Sequence, residues 1–195
     1  LEYFEPLLKE KDILFLAFSS QLSNTIENIY AAREELLQKY PERKFIVVDT
    51  MSISAPELLL ILRAFDLYKQ GKPMEEVAQW VEDNKFHAHA WFTVDDLKYL
   101  KRGGRISGAA AFFGTMLNLK PILVMGKGGK IAPADKVHGR QKALRTIAAR
   151  PEQNIADAAG PTTLLIHADA PADAHRLAAP VPPRLPPLGG VRRVA

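Results

Sequence analysis

Two short apolar runs with a helical stretch between them constrain this chain more than any other feature. Asp12–Phe18 (DILFLAF) and Lys44–Val48 (KFIVV) are too short for helices and show no alternation of polar and apolar positions. A strand that is apolar on both sides has to be covered on both sides, which marks a buried parallel strand. Between the runs, Ile26, Ile29, Tyr30, Leu36 and Leu37 recur at helical spacing, with Ser23 placed to cap. A second helix is announced by Ser54-Ala55-Pro56-Glu57. There the serine can cap, the glutamate three residues on can complete a capping box, and proline is tolerated in a first turn. That helix is expected to run to about Gln70 and to stop at Gly71. Strand, helix, strand, helix is the α/β pattern of a parallel three-layer sheet. Ligands of such sheets bind beyond the carboxyl ends of the strands. The polar loops 19–24 and 49–54 lie at those ends, so position alone nominates them.

Farther along, 74–84 reads as a helix, His87–Val94 as a strand, and 95–101 as a short helix broken by Gly103-Gly104. Ser107–Leu119 reads as an apolar helix rich in small residues. Pro121–Met125 and Lys130–Val137 read as a hairpin across Gly126-Lys127-Gly128-Gly129. A basic amphipathic helix, Gly139–Ala149, and a last strand, Thr162–His167, complete the pattern. The expected division is 1–85 as the remainder of a first α/β domain, 86–179 as a partial second α/β domain, and 180–195 as a tail. Six of the fourteen prolines fall between Pro171 and Ala195, with alanine and arginine filling most of the rest. So few large apolar side chains cannot complete a core, and 180–195 is expected to be disordered or foreign to the original reading frame. Because the sequence opens on Leu1 and not on Met, the natural N-terminus is expected to lie upstream.

Composition excludes several classes of function. Zero cysteines rule out disulfide scaffolds, thiol nucleophiles and cysteine-ligated metals, and suit a reducing cytoplasm. No basic stretch precedes an apolar segment at the start, so no signal peptide is visible, and no apolar run is long enough to span a bilayer. A net charge of +4 permits nucleic-acid contact without arguing for it, since no basic stripe with interleaved aromatics is present. Lys98, Lys101, Arg102 and Arg105 around Tyr99 come nearest, and a solvated helix end is the preferred reading of them.

The chemistry-bearing residues are few. Ser19, Ser20 and Ser23 stand between a strand and a helix, where unpaired N–H groups and the helix dipole make an anion site. Ordinary capping by Ser23, with Ser19 and Ser20 as turn residues, explains the same spacing. Neither GxxxxGK[ST] nor GxGxxG occurs, which argues against a nucleotide site. GxSxG is also missing, so a serine nucleophile would depend on Asp49, read here as a loop-stabilising acceptor. His87 and His89 would share one face of a strand, yet no third ligand is spaced nearby, and no metal site is expected. Arg102 and Arg105 flank Gly103-Gly104 ahead of Ser107; they can face an anion or simply end one helix and begin the next.

Longer segments carry a resemblance. Phe18-Ser19-Ser20-Gln21-Leu22-Ser23-Asn24-Thr25 resembles the SSGLSGT element of the DegV family. The block from Phe92 to Ser107 (FTVDDLKYLKRGGRIS) is similar to that family's FTVDDLEYLKRGGRIS almost letter for letter. Asn118–Leu123 (NLKPIL) and Gly139–Leu144 (GRQKAL) resemble its NIKPIL and GRKKAL, and the likeness runs from about residue 4 to about 179.

The resemblance implies a two-domain DegV-like fold, here incomplete, in a cytosolic bacterial protein that holds one long-chain fatty acid between its domains. It implies a binding subunit, without catalytic residues or a cofactor of its own, that presents the acid to an ATP-dependent fatty acid kinase making acyl-phosphate. Ser20, with Ser19 beside it, matches the serine that bonds the carboxylate, and Arg105 matches an arginine near the head group that serves the kinase. Phe112, Phe113, Met116 and Leu117 are candidates for the acyl tunnel, with core packing as the alternative for each. No nucleic-acid partner and no stable membrane insertion are expected. The family's leading segment, with a threonine that also holds the carboxylate, and its late histidine have no counterpart here, and Gln21 and Asn24 replace two glycines of the serine motif. Burying an acyl chain of roughly 16 carbons gains about 12 kcal/mol gross, against about 0.3–2 kcal/mol from a helix N-terminus. Chain burial therefore sets affinity, and the serines set orientation. The competing expectation is a stand-alone serine-dependent acyl or phosphoryl transfer enzyme.

Overall fold

A computed structural model of the chain describes residues 1–106, 118–154 and 163–178. The four tunnel candidates and the 180–195 tail lie outside the described residues. Two compact units divide the chain, Leu1–Ala88 with Lys127–Lys130, and His89–Gly126 with Ile131–Ala195.

The first unit is built around two parallel strands, β1 (Ile13–Ala17) and β2 (Phe45–Asp49), paired from Ile13↔Phe45 to Ala17↔Asp49. Their apolar runs serve two cores at once. Ile13, Phe15, Phe45 and Val47 pack with Phe4 and Leu8 of α1 (Phe4–Glu10) and with Ile29 and Leu36 of α2 (Thr25–Lys39). The alternate positions Leu14, Leu16, Ile46 and Val48 pack with Leu60 and Ala64 of α3 (Ala55–Lys69) and with Val77, Ala78 and Val81 of α4 (Met74–Asn84). Period-two side-chain alternation thus sends one apolar set to each helical layer, giving the three layers that the doubly apolar runs require. On the first side the rings of Phe4 and Phe45 lie 5.1 Å apart, and those of Phe4 and Phe15 meet edge to face at 5.6 Å.

α3 ends as its sequence predicts. Gly71 takes φ +80, its N–H bonds the Tyr68 carbonyl at 2.9 Å, and the Lys72 N–H reaches back to Leu67 at 3.2 Å. This pair of bonds satisfies the last carbonyls and needs a residue that tolerates left-handed backbone.

In the second unit β3 (Trp91–Phe92), β4 (Leu119–Met125) and β5 (Ile131–His138) form an antiparallel sheet in the order β3-β4-β5. Ile122 and Val137 face Ala143 and Ile147 of α6 (Arg140–Asn154). Leu123 packs with Ile106, Phe92 and Leu100, the last from α5 (Lys98–Arg102). The β4–β5 register shifts between Ile122 and Leu123, where Pro133 sits. A bulge is where a strand can accept a residue without an N–H. α7 (Pro171–Ala178) is the last described helix, tied to α6 by Asp173 Oδ2 accepting from Arg140 Nε at 2.7 Å.

Several sequence expectations are corrected. The strand expected over His87–Val94 shrinks to Trp91–Phe92, because only those residues find partners, Val124 and Leu123 on β4. His87 instead turns back at the end of α4, its N–H on the Asn84 carbonyl at 2.8 Å, so His87 and His89 share no strand face. Residues 163–167 form no ladder among the described residues, and Asn118 and Leu119 belong to a turn and to β4, not to a helix. α1 had no reading in the sequence.

Candidate functional site

At the carboxyl ends of β1 and β2 two polar loops are laced together. Thr50, fully buried, donates both its N–H (2.9 Å) and its Oγ1 hydroxyl (2.8 Å) to the carbonyl of Ala17, the last residue of β1. Two residues on, the Ser19 N–H donates to the Ser52 carbonyl at 2.7 Å. These bonds hold the 18–24 loop against the 50–54 loop.

Ser19 is the hub of the first loop and has no exposed surface. Its hydroxyl donates to the Gly129 carbonyl at 2.6 Å and accepts the Gln21 N–H at 3.2 Å. Its carbonyl accepts from Leu22 N–H at 3.0 Å and from Ser23 N–H at 3.3 Å, winding the chain toward α2. Gly129 belongs to the same compact unit through the segment Lys127–Lys130.

Ser20 is half-buried. Its N–H faces both carboxylate oxygens of Asp49 at 3.4 Å, and its hydroxyl oxygen accepts a long bond from Gln21 Nε2 at 3.5 Å. Asp49 also accepts the Met51 N–H at 2.9 Å. The carboxylate therefore organises both loops through backbone N–H groups, the loop-stabilising role read from the sequence. Among the described contacts it meets Ser20 through the backbone N–H and not through the hydroxyl. Lys85 donates to the Asp49 carbonyl at 3.2 Å and to Glu82 at 2.6 Å. Burial, followed by the negative charge of Asp49, pushes the Tyr30 hydroxyl above its ordinary pKa.

Capping differs in detail from the sequence expectation. The N-cap of α2 is Asn24, without a side-chain cap bond, and Ser23 Oγ instead takes the Thr25 N–H at 3.2 Å, one residue early. At α3 the N-cap is Ser54, with φ +62 and no side-chain cap bond. Half of the capping box remains. Burial pushes the Glu57 carboxyl up, while its bond from the Ser54 N–H holds it down. Met51 (φ +51) and Ser54 (φ +62) are two left-handed non-glycine residues within four positions. Such conformations cost about 1–3 kcal/mol each and persist where surrounding bonds over-determine them, which the Thr50, Ser52 and Asp49 contacts do.

The structure brings Ser19 and Ser20 together in the first unit and places Arg105 in the second. Arg105 is exposed in the turn after α5, its N–H on the Leu100 carbonyl at 3.0 Å and its Nη1 on the Gly103 carbonyl. Among the described residues no cluster of three or more His, Cys, Asp or Glu is placed to hold a metal ion, and no helix is long and apolar enough to cross a membrane. Sequence reasoning missed Thr50, Ser52 and Gly129. The threonine directly after the β2 aspartate was a readable signal, but a partner 110 residues away from Ser19 was not.

A family profile described as "Uncharacterised protein, DegV family" matches residues 1–186, past the point near residue 179 where the motif likeness stops. A DegV domain-containing protein of Clostridium perfringens is 41% identical over 179 residues, covering 91% of this chain and 62% of that protein. Among solved structures, a DegV family protein from Thermus thermophilus described as fatty-acid binding aligns with a TM-score of 0.70 at 33% identity. That alignment covers 90% of this chain and 63% of the other. The Streptococcus pneumoniae fatty acid kinase B3 protein loaded with linoleic acid aligns with a TM-score of 0.77 over 91% of this chain and 63% of that one. At 18% identity that likeness speaks for the fold alone. The chain spans less than two thirds of each of these proteins. With a mixed α/β fold of the same kind and a profile match across nearly its whole length, the chain belongs to the DegV family.

Proposed function

We propose that this chain binds a long-chain fatty acid, with the carboxylate at the Ser19-Ser20 loop and the acyl chain buried, and presents it to a separate ATP-dependent kinase that converts it to acyl-phosphate. The observation that carries this reading is the division of labour between the two serines. The Ser19 hydroxyl is spent on Gly129, whereas the half-buried Ser20 hydroxyl accepts from Gln21 and keeps its own hydrogen to donate. Because Asp49 takes the Ser20 N–H, the carboxylate is served by the hydroxyl, not by that backbone donor. Arg105, an exposed guanidinium, is assigned to the head group or to the kinase, and Phe112, Phe113, Met116 and Leu117 to the acyl wall on sequence grounds. Fatty-acid binding by the Thermus thermophilus relative supports the ligand class, and the family resemblance supports the kinase. A cytoplasmic setting accords with the absence of cysteine.

The test is mass spectrometry of an organic extract of the purified protein, followed by titration with oleate. A stoichiometric acyl species, or saturable oleate uptake weakened by Ser20→Ala, is the expected result. An empty extract together with no oleate uptake sinks the reading. For the second half, a fatty acid kinase and ATP added to the oleate-loaded protein should yield acyl-phosphate, less of it with Arg105→Ala. Acyl-phosphate formed without any kinase would favour the stand-alone enzyme instead.

A further inference from the structure

We infer that Ser19 and Gly129 form a positioning pair that fixes which serine hydroxyl meets the ligand, with Ser19 acting through Ser20 and not on the ligand itself. The inference rests on the fatty-acid reading above and deepens it. A serine hydroxyl has one hydrogen. That of Ser19 ends on the Gly129 carbonyl at 2.6 Å in a site without solvent exposure, and its oxygen is taken by the Gln21 N–H. Nothing remains for a carboxylate.

The same bonds fix the residue next door. The Ser19 N–H is held by Ser52 at 2.7 Å, and the Gln21 N–H by Ser19 Oγ at 3.2 Å, so the chain is pinned on both sides of Ser20. With its N–H turned to Asp49, the Ser20 backbone is oriented, and its hydroxyl oxygen accepts from Gln21 Nε2 at 3.5 Å.

Gly129 is required twice over. Its φ is +70, and a Cβ there would stand 2.4 Å from Ser19 Oγ and 3.3 Å from both Cβ and Cε of Met51. The neighbouring Gly128 has nothing within 4 Å of its own Cβ position. Of these two glycines only Gly129 is therefore held against the loop, and a side chain at 128 has open space. A pair spanning 110 residues thus sets the geometry of a two-residue motif.

The experiment is a set of oleate titrations on the full chain, with the urea midpoint of each variant measured alongside. Ser19→Ala weakens oleate binding about tenfold, the size of one displaced hydrogen bond. In a Ser20→Ala background the same change has no further effect, because Ser19 works only through Ser20. Gly129→Ala weakens binding at least as much, and Ser19→Ala partly relieves it by removing the atom that the new Cβ meets. Gly128→Ala binds like the parent. With oleate labelled at its carboxyl carbon, the pH midpoint of the bound ¹³C resonance rises in Ser20→Ala and moves the same way in Ser19→Ala. A generally loosened protein would lose affinity without that displacement.

Multiplying losses from Ser19→Ala and Ser20→Ala would make Ser19 a direct contact and overturn the inference while leaving fatty-acid binding intact. An unchanged Ser19→Ala titration overturns it as well. Absence of oleate uptake by the parent chain would instead strike the functional reading beneath it. Should Gly129→Ala fail to fold, the Ser19/Ser20 cycle decides the matter by itself.

Discussion

Substituting Thr50 isolates the bond that laces the two loops. Thr50 is fully buried and sends both its N–H and its hydroxyl to the Ala17 carbonyl. Thr50→Val keeps the shape and removes only the hydroxyl bond. Ala17 retains the N–H donor at 2.9 Å, so no buried acceptor is orphaned, and the loss falls at about 0.5–1.5 kcal/mol. Thr50→Ser keeps the hydroxyl and deletes one methyl, which costs about 1 kcal/mol of transfer and cavity terms. Thr50→Ala combines both and should lose about 2 kcal/mol. The order of stability is therefore parent, then Val and Ser together, then Ala. Urea unfolding followed by tryptophan emission reads this directly, since Trp80 packs in the first unit and Trp91 in the second, and Trp91→Phe leaves Trp80 as reporter. A Thr50→Val midpoint equal to the parent's would refute the argument, because the hydroxyl bond would then contribute nothing. A Thr50→Val midpoint below that of Thr50→Ala would refute it too, by showing that shape at this site was misjudged.

Other perturbations have equally definite outcomes. Phe45, 1% exposed and in ring contact with Phe4, should cost about 3–5 kcal/mol on truncation to Ala, which at typical domain stabilities leaves the first unit largely unfolded in mild urea. Hydrogen bonds from Lys39 and then Tyr40 hold the Glu5 carboxyl down from 4.5 to about 2. A depressed acid stabilises the fold above its unfolded value, so that contribution should fade as pH falls from about 4.5 towards 2 and be absent from Glu5→Gln in acid titrations of the urea midpoint. Glu57 carries the opposite sign. Burial raises it, so its folded form holds a proton more tightly and its contribution improves as pH falls through the raised value. Glu57→Gln keeps an acceptor for the Ser54 N–H and should remove that pH dependence without lowering stability at neutral pH.

Apart from α1, the first unit was legible because its strands are apolar on both faces, α2 and α3 carry helical period, and α3 carries a terminal glycine, all local signals. The second was less so. His87-Ala88-His89-Ala90 mimics strand alternation, yet the pleat extends only over the two residues that β4 can pair, a non-local fact that no window of sequence contains. The candidate site divides along the same line. Position at the strand ends nominated loops 19–24 and 49–54, and the DegV-like serine element singled out Ser20 with Ser19 beside it. The difference between Ser19 and Ser20 stayed invisible because it depends on Gly129, which reaches Ser19 across most of the chain. Ser23 misled as a cap because a serine one position early can satisfy the same kind of donor at Thr25.

The doubly apolar strands have a further consequence. In most sheets a one-residue slip is forbidden because it would turn apolar side chains to water. Here Ile13 to Leu16 and Phe45 to Val48 present oil on both faces, so a slipped β1–β2 ladder would still bury its side chains. Alignment of the ladder is left to polar fasteners at its two ends. One is Asp12 accepting the Lys44 N–H at 3.0 Å, and the other is Thr50 on Ala17. The second fastener lies inside the candidate site, so a residue that laces the two loops together also keeps the strands in step. A substitution at Thr50 would therefore loosen the loops and put the register of the strands at stake.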